Sequence, residues 1–252
     1  MLLESGRWIV PPGYHGLVGA LPSAENRPDD LSNAGVHMSA QQAIVTALLD
    51  THGRTFAREL GVRIERNTPS PLFRLLCLAM LTSAPVQANI AMQAARALAR
   101  AGWTTPHKLA ESDWSERVQV LNRAGYARVD EKTATQLVAF NDHLRDEYAG
   151  DLRRLRRAAD GDSRQAIARL KAFKGIGDVG AGIFLREVQA AWPEFHPFID
   201  KATAKAAGQL DLPTTADGLA ALVERGTFAR FVAALVRTQL AGDFAAIRGA
   251  AR

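Results

Sequence analysis

LKAFKGIGDVGAGIFLREVQAAWPEFHPFIDKATAK, residues 170–205, decides the fold. A charged helical segment ends at Phe173, Lys174-Gly175-Ile176-Gly177 follows, and helical periodicity then returns. Two glycines around one aliphatic residue suit a tight turn between helices, because glycine adopts backbone angles that a Cβ resists. Ile176 is expected to plug the space between the two helices. The second helix brings a partial positive charge and free N–H groups to the same place, and Gly175 and Gly177 let that backbone approach a phosphate closely. Further on, Phe198-Ile199-Asp200-Lys201 offers an apolar pair, one carboxylate and a new helix-compatible run.

Working outward, the flanking chain reads as helices with short links. Ser39 is placed to cap a first helix carrying Ile44, Leu48, Leu49 and Phe56 at helical spacing. A second short helix ends at Gly61. Asn67-Thr68-Pro69-Ser70-Pro71 breaks the chain and starts a helix over 72–81 that is apolar nearly all round, hence central. Helices are predicted over 90–101, from near Ser112, and over 133–148, with a loop at 103–111. Trp114 and Val118 are expected to pack. Ser163 is placed to cap the helix entering the Gly175 turn. After Asp200 the spacing predicts helices over 201–208, over 216–225 capped by Thr215, and over 227–241. No stretch reads as a strand, so the chain is predicted to be all-α.

The 252 residues suffice for one large domain or two small ones. Hydrophobic residues make up 47% and charged residues 23%, an ordinary globular balance without an apolar run of membrane-spanning length. A net charge of +5 favours a polyanionic partner. Residues 1–37 hold Arg7 and Arg27 against Glu4, Glu25, Asp29 and Asp30, so the basic excess lies in the remainder. That first segment is proline-rich and aperiodic, and is read as a loose extension, with Met38 as a possible start of the folded part. The single cysteine, Cys77, lies in an apolar helical run and is expected to be buried. One cysteine rules out an internal disulfide, is consistent with a reducing cytosol, and excludes a four-cysteine iron–sulfur cluster.

The glycine turn followed by one aspartate resembles the helix-hairpin-helix–Gly/Pro–Asp superfamily of DNA glycosylases. Its hairpin reads Leu-Pro-Gly-Val/Ile-Gly with an alanine four residues beyond, and here Gly175, Ile176, Gly177 and Ala181 match. Phe173 and Lys174 replace the leucine and proline. The loop Trp192-Pro193-Glu194-Phe195-His196-Pro197 precedes Asp200, at the position of the catalytic aspartate. Thr82-Ser83-Ala84-Pro85-Val86-Gln87 is similar to the family's Ser-Ala-Gln turn, which enters the gap left by an extruded nucleotide. Pro85 stands where a polar wedge is usual, and Gln87 is the substitute; a plain proline turn is the other reading. Gly125-Tyr126-Ala127-Arg128 is similar to the turn whose bulky side chain supports the base opposite the lesion, against plain packing for Tyr126.

The resemblance spans about residues 40–240. It implies two helical subdomains: residues 68–194 as a six-helix barrel ending in the hairpin helix, and residues 38–67 with 195–252 as the second. It implies a monomeric cytoplasmic enzyme that extrudes a damaged or mismatched base from double-stranded DNA and hydrolyses its N-glycosidic bond. Asp200 would be catalytic, while Lys174, Gly175, Ile176, Gly177, Gln87, Tyr126, Arg128 and Lys201 would contact DNA. A monovalent cation, Na+ or K+, at the carbonyls of Lys174 and Ile176 is also implied; no other cofactor is expected. Relatives that nick the strand use a lysine where this chain has Val179, which is no nucleophile, so the expected enzyme is monofunctional.

Two alternatives stay open: a bifunctional glycosylase and lyase, or a binder of damaged or abasic DNA without turnover. Aspartates before helices are commonly caps. An Asp200 facing an open polar cleft fits an enzyme, and one merely capping its own helix fits binding alone. The basic run Arg153-Arg154-Leu155-Arg156-Arg157 is read either as a solvated face or as a phosphate contact. Trp103, Trp192 and Tyr126 are candidates for stacking on an electron-poor base, and equally for the core. The excised base is not legible in the sequence.

Overall fold

A computed structural model describes residues 39–251, and every regular element among them is helical. The expectations for residues 1–37 and Met38 lie outside the described residues. Ser39 caps α1 (Ala40–His52), its side chain accepting from the Gln42 N–H at 3.1 Å. The single-turn α2 (Phe56–Glu59) follows, and Gly61 leaves it with a φ of 73°. Pro69 and Pro71 sit in the first turn of α3 (Pro69–Thr82), where a missing N–H costs nothing. This helix is apolar around its circumference because neighbours cover it on all sides, and Leu72, Phe73 and every residue from Leu75 to Leu81 are buried. Burial also pushes the Cys77 thiol up, far from any reactive range.

Then come α4 (Ala88–Arg100), α5 (Pro106–Ala110), α6 (Trp114–Arg123), α7 (Asp130–Tyr148), α8 (Leu152–Ala159), α9 (Ser163–Lys171) and α10 (Asp178–Val188). The chain finishes with α11 (Lys201–Gln209), α12 (Ala216–Ala220), α13 (Arg225–Ala241) and α14 (Phe244–Ala250). Among the described residues, no helix is long and apolar enough to cross a membrane.

Two hydrophobic clusters organise these helices. The larger surrounds α3 and takes in Leu98, Leu137, Phe140, Leu170, Phe184 and Trp192. The smaller joins α1 to α11, α13 and α14 through Val45, Leu48, Leu210, Phe228, Phe231 and Ile247. Helix α10 belongs to the larger cluster and also packs against α13. Ala57, Leu60, Val62 and Ile64, grouped by expectation with the C-terminal part of the chain, pack in the larger cluster instead, as does Phe195.

Several boundaries differ from the sequence reading. The cap of α9 is Asp162, which accepts from the Arg164 N–H at 2.7 Å, and Ser163 is the first helical residue. Residues 103–111 contain α5, and the run expected as one helix over 216–225 stops at Ala220. Trp114 is exposed rather than packed, its indole N–H donating to Thr135 Oγ1 at 3.1 Å. The basic run forms α8, whose Leu152, Leu155 and Ala159 face the core at helical spacing.

Candidate nucleic-acid interface and carboxylate site

Three sequence-distant segments meet at the C-terminal end of α3. The first is the α9–α10 turn. Gly175 has a φ of +88°, and a Cβ there would come within 3.0 Å of Met80 Cε and 3.3 Å of Gln136 Oε1. At Gly180 a Cβ would lie 2.2 Å from Ser83 Oγ and 2.9 Å from the Ala79 carbonyl, so α10 runs against α3 almost backbone to backbone. Ile176 is buried in the turn as predicted. Phe173 is buried too; its ring stands edge-on to His143 at 4.6 Å and stacks on Tyr148 at 6.0 Å. An aromatic residue fills the position where the resembled hairpin has leucine.

Lys174, Gly177, Asp178 and Val179 are exposed, with Val179 65% accessible. No side chain caps α10. Its first amides therefore have no side-chain acceptor, and free amides at a helix start favour an anion. Among the described residues no backbone N–H donates to the carbonyls of Lys174 or Ile176. Lys171 meets Asp178 at 2.6 Å, and this hydrogen bond holds the Asp178 carboxyl below the usual carboxylate range. The charge of Lys201 acts on Asp178 in the same direction.

The second segment is the turn carrying Tyr126 and Arg128. Tyr126 is not a wedge. It is 1% exposed, its hydroxyl donates to the Leu81 carbonyl at 2.8 Å, and burial pushes its pKa up to about 12. The ring is thus a strut between this turn and α3. Arg128, two residues on, is exposed. The third segment links α3 to α4. Ser83 Oγ donates back to the Ala79 carbonyl at 2.8 Å. Gln87 begins α4 and is exposed. It lines a cleft of about 550 Å³ with His52, Phe56, Asn89, Arg237 and Leu240.

Asp200 lies on the far side of α10 from α3. It caps α11, with Oδ1 accepting from the Thr203 N–H at 2.8 Å and from Thr203 Oγ1 at 2.7 Å. Oδ2 is paired with the Arg186 guanidinium. The side chain remains 12% exposed against 2% for Arg186. Gly182 creates the room: a Cβ there would sit 3.0 Å from Asp200 Cβ. Gln189 holds the incoming loop, donating to the carbonyls of Arg186 at 2.9 Å and Phe198 at 3.0 Å and accepting from the Phe198 N–H at 3.0 Å.

Behind Asp200 the charges continue inward. Glu187 is fully buried and accepts from the Ala57 N–H at 2.9 Å, and Arg186 Nε lies 3.8 Å from its other oxygen. Desolvation raises the Glu187 carboxyl above its ordinary value, opposed by Arg186. The guanidinium groups of Arg186 and Arg237 both lie over the Phe56 ring, at 5.4 Å and 4.1 Å from its centroid. Arg237 pairs with Glu59 at 2.6 Å.

The structure thus holds Lys174, Gly175, Ile176 and Gly177 in one turn, with Gln87 and Arg128 on segments joined to the same end of α3, while Lys201 opens α11 beside Asp200. Of the two readings offered for Tyr126 and Trp192, stacking on a base or packing in the core, their burial agrees with the core. Tyr126 and Trp192 are buried, with the Trp192 indole N–H donating to Asn67 Oδ1 at 2.9 Å, and Trp103 is half-buried. In α8, Arg153 is taken by Asp151 at 2.7 Å and Arg156 by Glu194 at 2.5 Å; among the described residues neither Arg154 nor Arg157 has a carboxylate within salt-bridge distance, though the Arg157 charge acts on Asp151. Arg186, Gln189 and Thr203 were not legible as site residues. Arg186 lies four residues after Gly182, hence on one helix face, and Asp200-x-x-Thr203 has cap-to-third-residue spacing. No family model, curated protein or solved structure matches the chain.

Proposed function

We propose that this chain is a DNA-repair glycosylase that grips the backbone of double-stranded DNA with the α9–α10 turn. In this reading the turn is a helix-hairpin-helix element, the larger hydrophobic cluster corresponds to a six-helix barrel, and the smaller one to the second subdomain. The supporting observation is the convergence just described: the glycine turn, the Arg128 turn and the Gln87 turn meet at one end of α3, with Lys201 and Asp200 next to the same helix α10. Backbone amides and exposed lysines give a contact that does not read sequence and weakens with salt.

Extruding a base costs a few kcal/mol and needs phosphate contacts on both sides of the kink. Lys174, Gly175 and Gly177 would supply one contact, and Arg128 and Gln87 others. A monovalent cation at the Lys174 and Ile176 carbonyls would add a fixed positive charge beside the phosphate. Loss of the base leaves positive charge on the sugar, which the Asp200 carboxylate stabilises while orienting water. The expected product is an abasic site in an unbroken strand, because the exposed side chain at the lyase position is Val179.

One observation favours the second reading, DNA binding without turnover. Asp200 already accepts two bonds from Thr203 and pairs with Arg186, so much of its charge is spoken for within the protein. Duplexes carrying single defined lesions separate the two. Strand cleavage that appears only after alkali, with wild type and not with Asp200→Asn, supports the glycosylase. Cleavage without alkali, or borohydride trapping of a covalent adduct, would show a lyase. Full excision by Asp200→Asn would sink the mechanism, and tight binding with no excision would leave the binding reading.

A further inference from the structure

Asp200 is held at more points than a helix cap requires. A cap is complete when Oδ1 accepts the Thr203 N–H, yet the Thr203 hydroxyl donates to the same oxygen at 2.7 Å. The second oxygen is taken by Arg186 from another helix. Beneath the carboxylate, Gly182 removes the one side chain that would lift it away from α10. Thr203 is fully buried and Arg186 nearly so.

The arrangement is a poor route to stability. Arg186 Nε and Glu187 Oε1 are both buried without a hydrogen-bond partner among the described residues. A buried ion pair with such loose ends commonly contributes less than an apolar side chain of the same volume. What the arrangement does achieve is to fix one carboxylate oxygen from α11 and the other from α10, so that the group need not reorient when charge develops next to it.

We propose that Thr203 and Arg186 are positioning residues for Asp200 in base excision, an inference that rests on the glycosylase reading. They touch neither the sugar nor the base in this account. Their action runs through the direction in which Asp200 presents its open edge, with Gly182 as the floor of the seat.

The test uses the full chain and a lesion duplex that wild type processes, with excision followed under single-turnover conditions. Affinity is measured separately on a duplex carrying a tetrahydrofuran abasic analogue, and folding by the thermal midpoint. Thr203→Val keeps the shape and the backbone cap but deletes the hydroxyl; Thr203→Ser restores it. The expected result is an excision rate lowered about ten- to a hundredfold in Thr203→Val, with affinity and thermal midpoint unchanged and most of the rate regained in Thr203→Ser. Arg186→Lys is expected to lose rate in the same way.

Thr203→Val excising at the wild-type rate would overturn the proposal. So would rate, affinity and midpoint falling together in both Thr203 variants, since that is the pattern of a structural role. If wild type releases no base from any duplex, the glycosylase reading itself fails and this inference with it. An active wild type with an indifferent Thr203→Val removes the inference alone.

Discussion

At its N-terminal end α10 shows Lys174, Gly177, Asp178 and Val179 to solvent, with uncapped amides behind them; two turns later Arg186, Glu187 and Gln189 are buried. The first end carries Lys174 and uncapped amides, and the carboxylate beside them, Asp178, is paired with Lys171. The second end has supplied its own partners: Asp200 for Arg186, the Ala57 amide for Glu187, the Phe198 backbone for Gln189. Glycines serve both ends, but differently. Gly180 lets α10 meet α3, and Gly182, half a turn round, lets Asp200 meet α10. One helix can thus hold an open surface and a closed charge network apart by little more than its own length. The open end is the one free to meet something outside the chain.

Variants at the two ends should therefore fail differently. The largest effect is expected from Arg186→Leu, which strands Asp200 and Glu187 without their cation and should lose about 3–5 kcal/mol of stability in urea unfolding. A loss below about 1 kcal/mol would show that the carboxylates are not left buried and unpaired when the cation is removed. At the other end, Gly180→Ala drives a Cβ against Ser83 Oγ and the Ala79 carbonyl, and about 1–3 kcal/mol should be lost. Adding Ser83→Ala should restore part of it, because one of the two clashes goes; no recovery would place the strain in the carbonyl contact.

Gly175→Ala forces a Cβ onto a φ of +88° and should cost about 1–2 kcal/mol in thermal unfolding while weakening DNA binding. Unchanged binding would detach the turn from the proposed surface. The smallest effect concerns Glu187. Its carboxyl is raised above the ordinary 4.5, so its contribution to stability is present below pH 4.5 and lost as pH rises through the raised value. Wild type should accordingly lose stability relative to Glu187→Gln between pH 4.5 and 7, measured by chemical denaturation at both pH values. A constant difference would contradict the buried, desolvated carboxyl.

The open end of α10 was legible because its signals are local. Two glycines around Ile176, a cap at Ser39, and prolines in the first turn of α3 each act within a few residues, so spacing alone exposes them. At the closed end only Asp200 was legible, as a helix cap in front of α11; its partners were not, because their meaning depends on what packs against them. Arg186 in Phe184-Leu185-Arg186-Glu187-Val188 reads as a charge on a helix, and its partner is brought to it only by the loop that Gln189 clamps. Tyr126 shows the same limit. Its place in the turn was legible, but the direction of its ring, inward to the Leu81 carbonyl, is a tertiary fact. Asp162 and Ser163 are both good caps, and only the backbone angles choose between neighbours of equal chemistry.

The central claim, that the exposed end of α10 is a surface for the DNA backbone, is tested most directly by fluorescence anisotropy on an abasic-analogue duplex across a salt series. Wild type should bind with a steep fall in affinity as salt rises. Lys174→Ala should weaken binding equally on all sequences and reduce the logarithmic salt slope by about one, with an unchanged thermal midpoint. Wild-type binding that is absent or indifferent to salt, or a Lys174→Ala protein with the wild-type slope, would contradict the account.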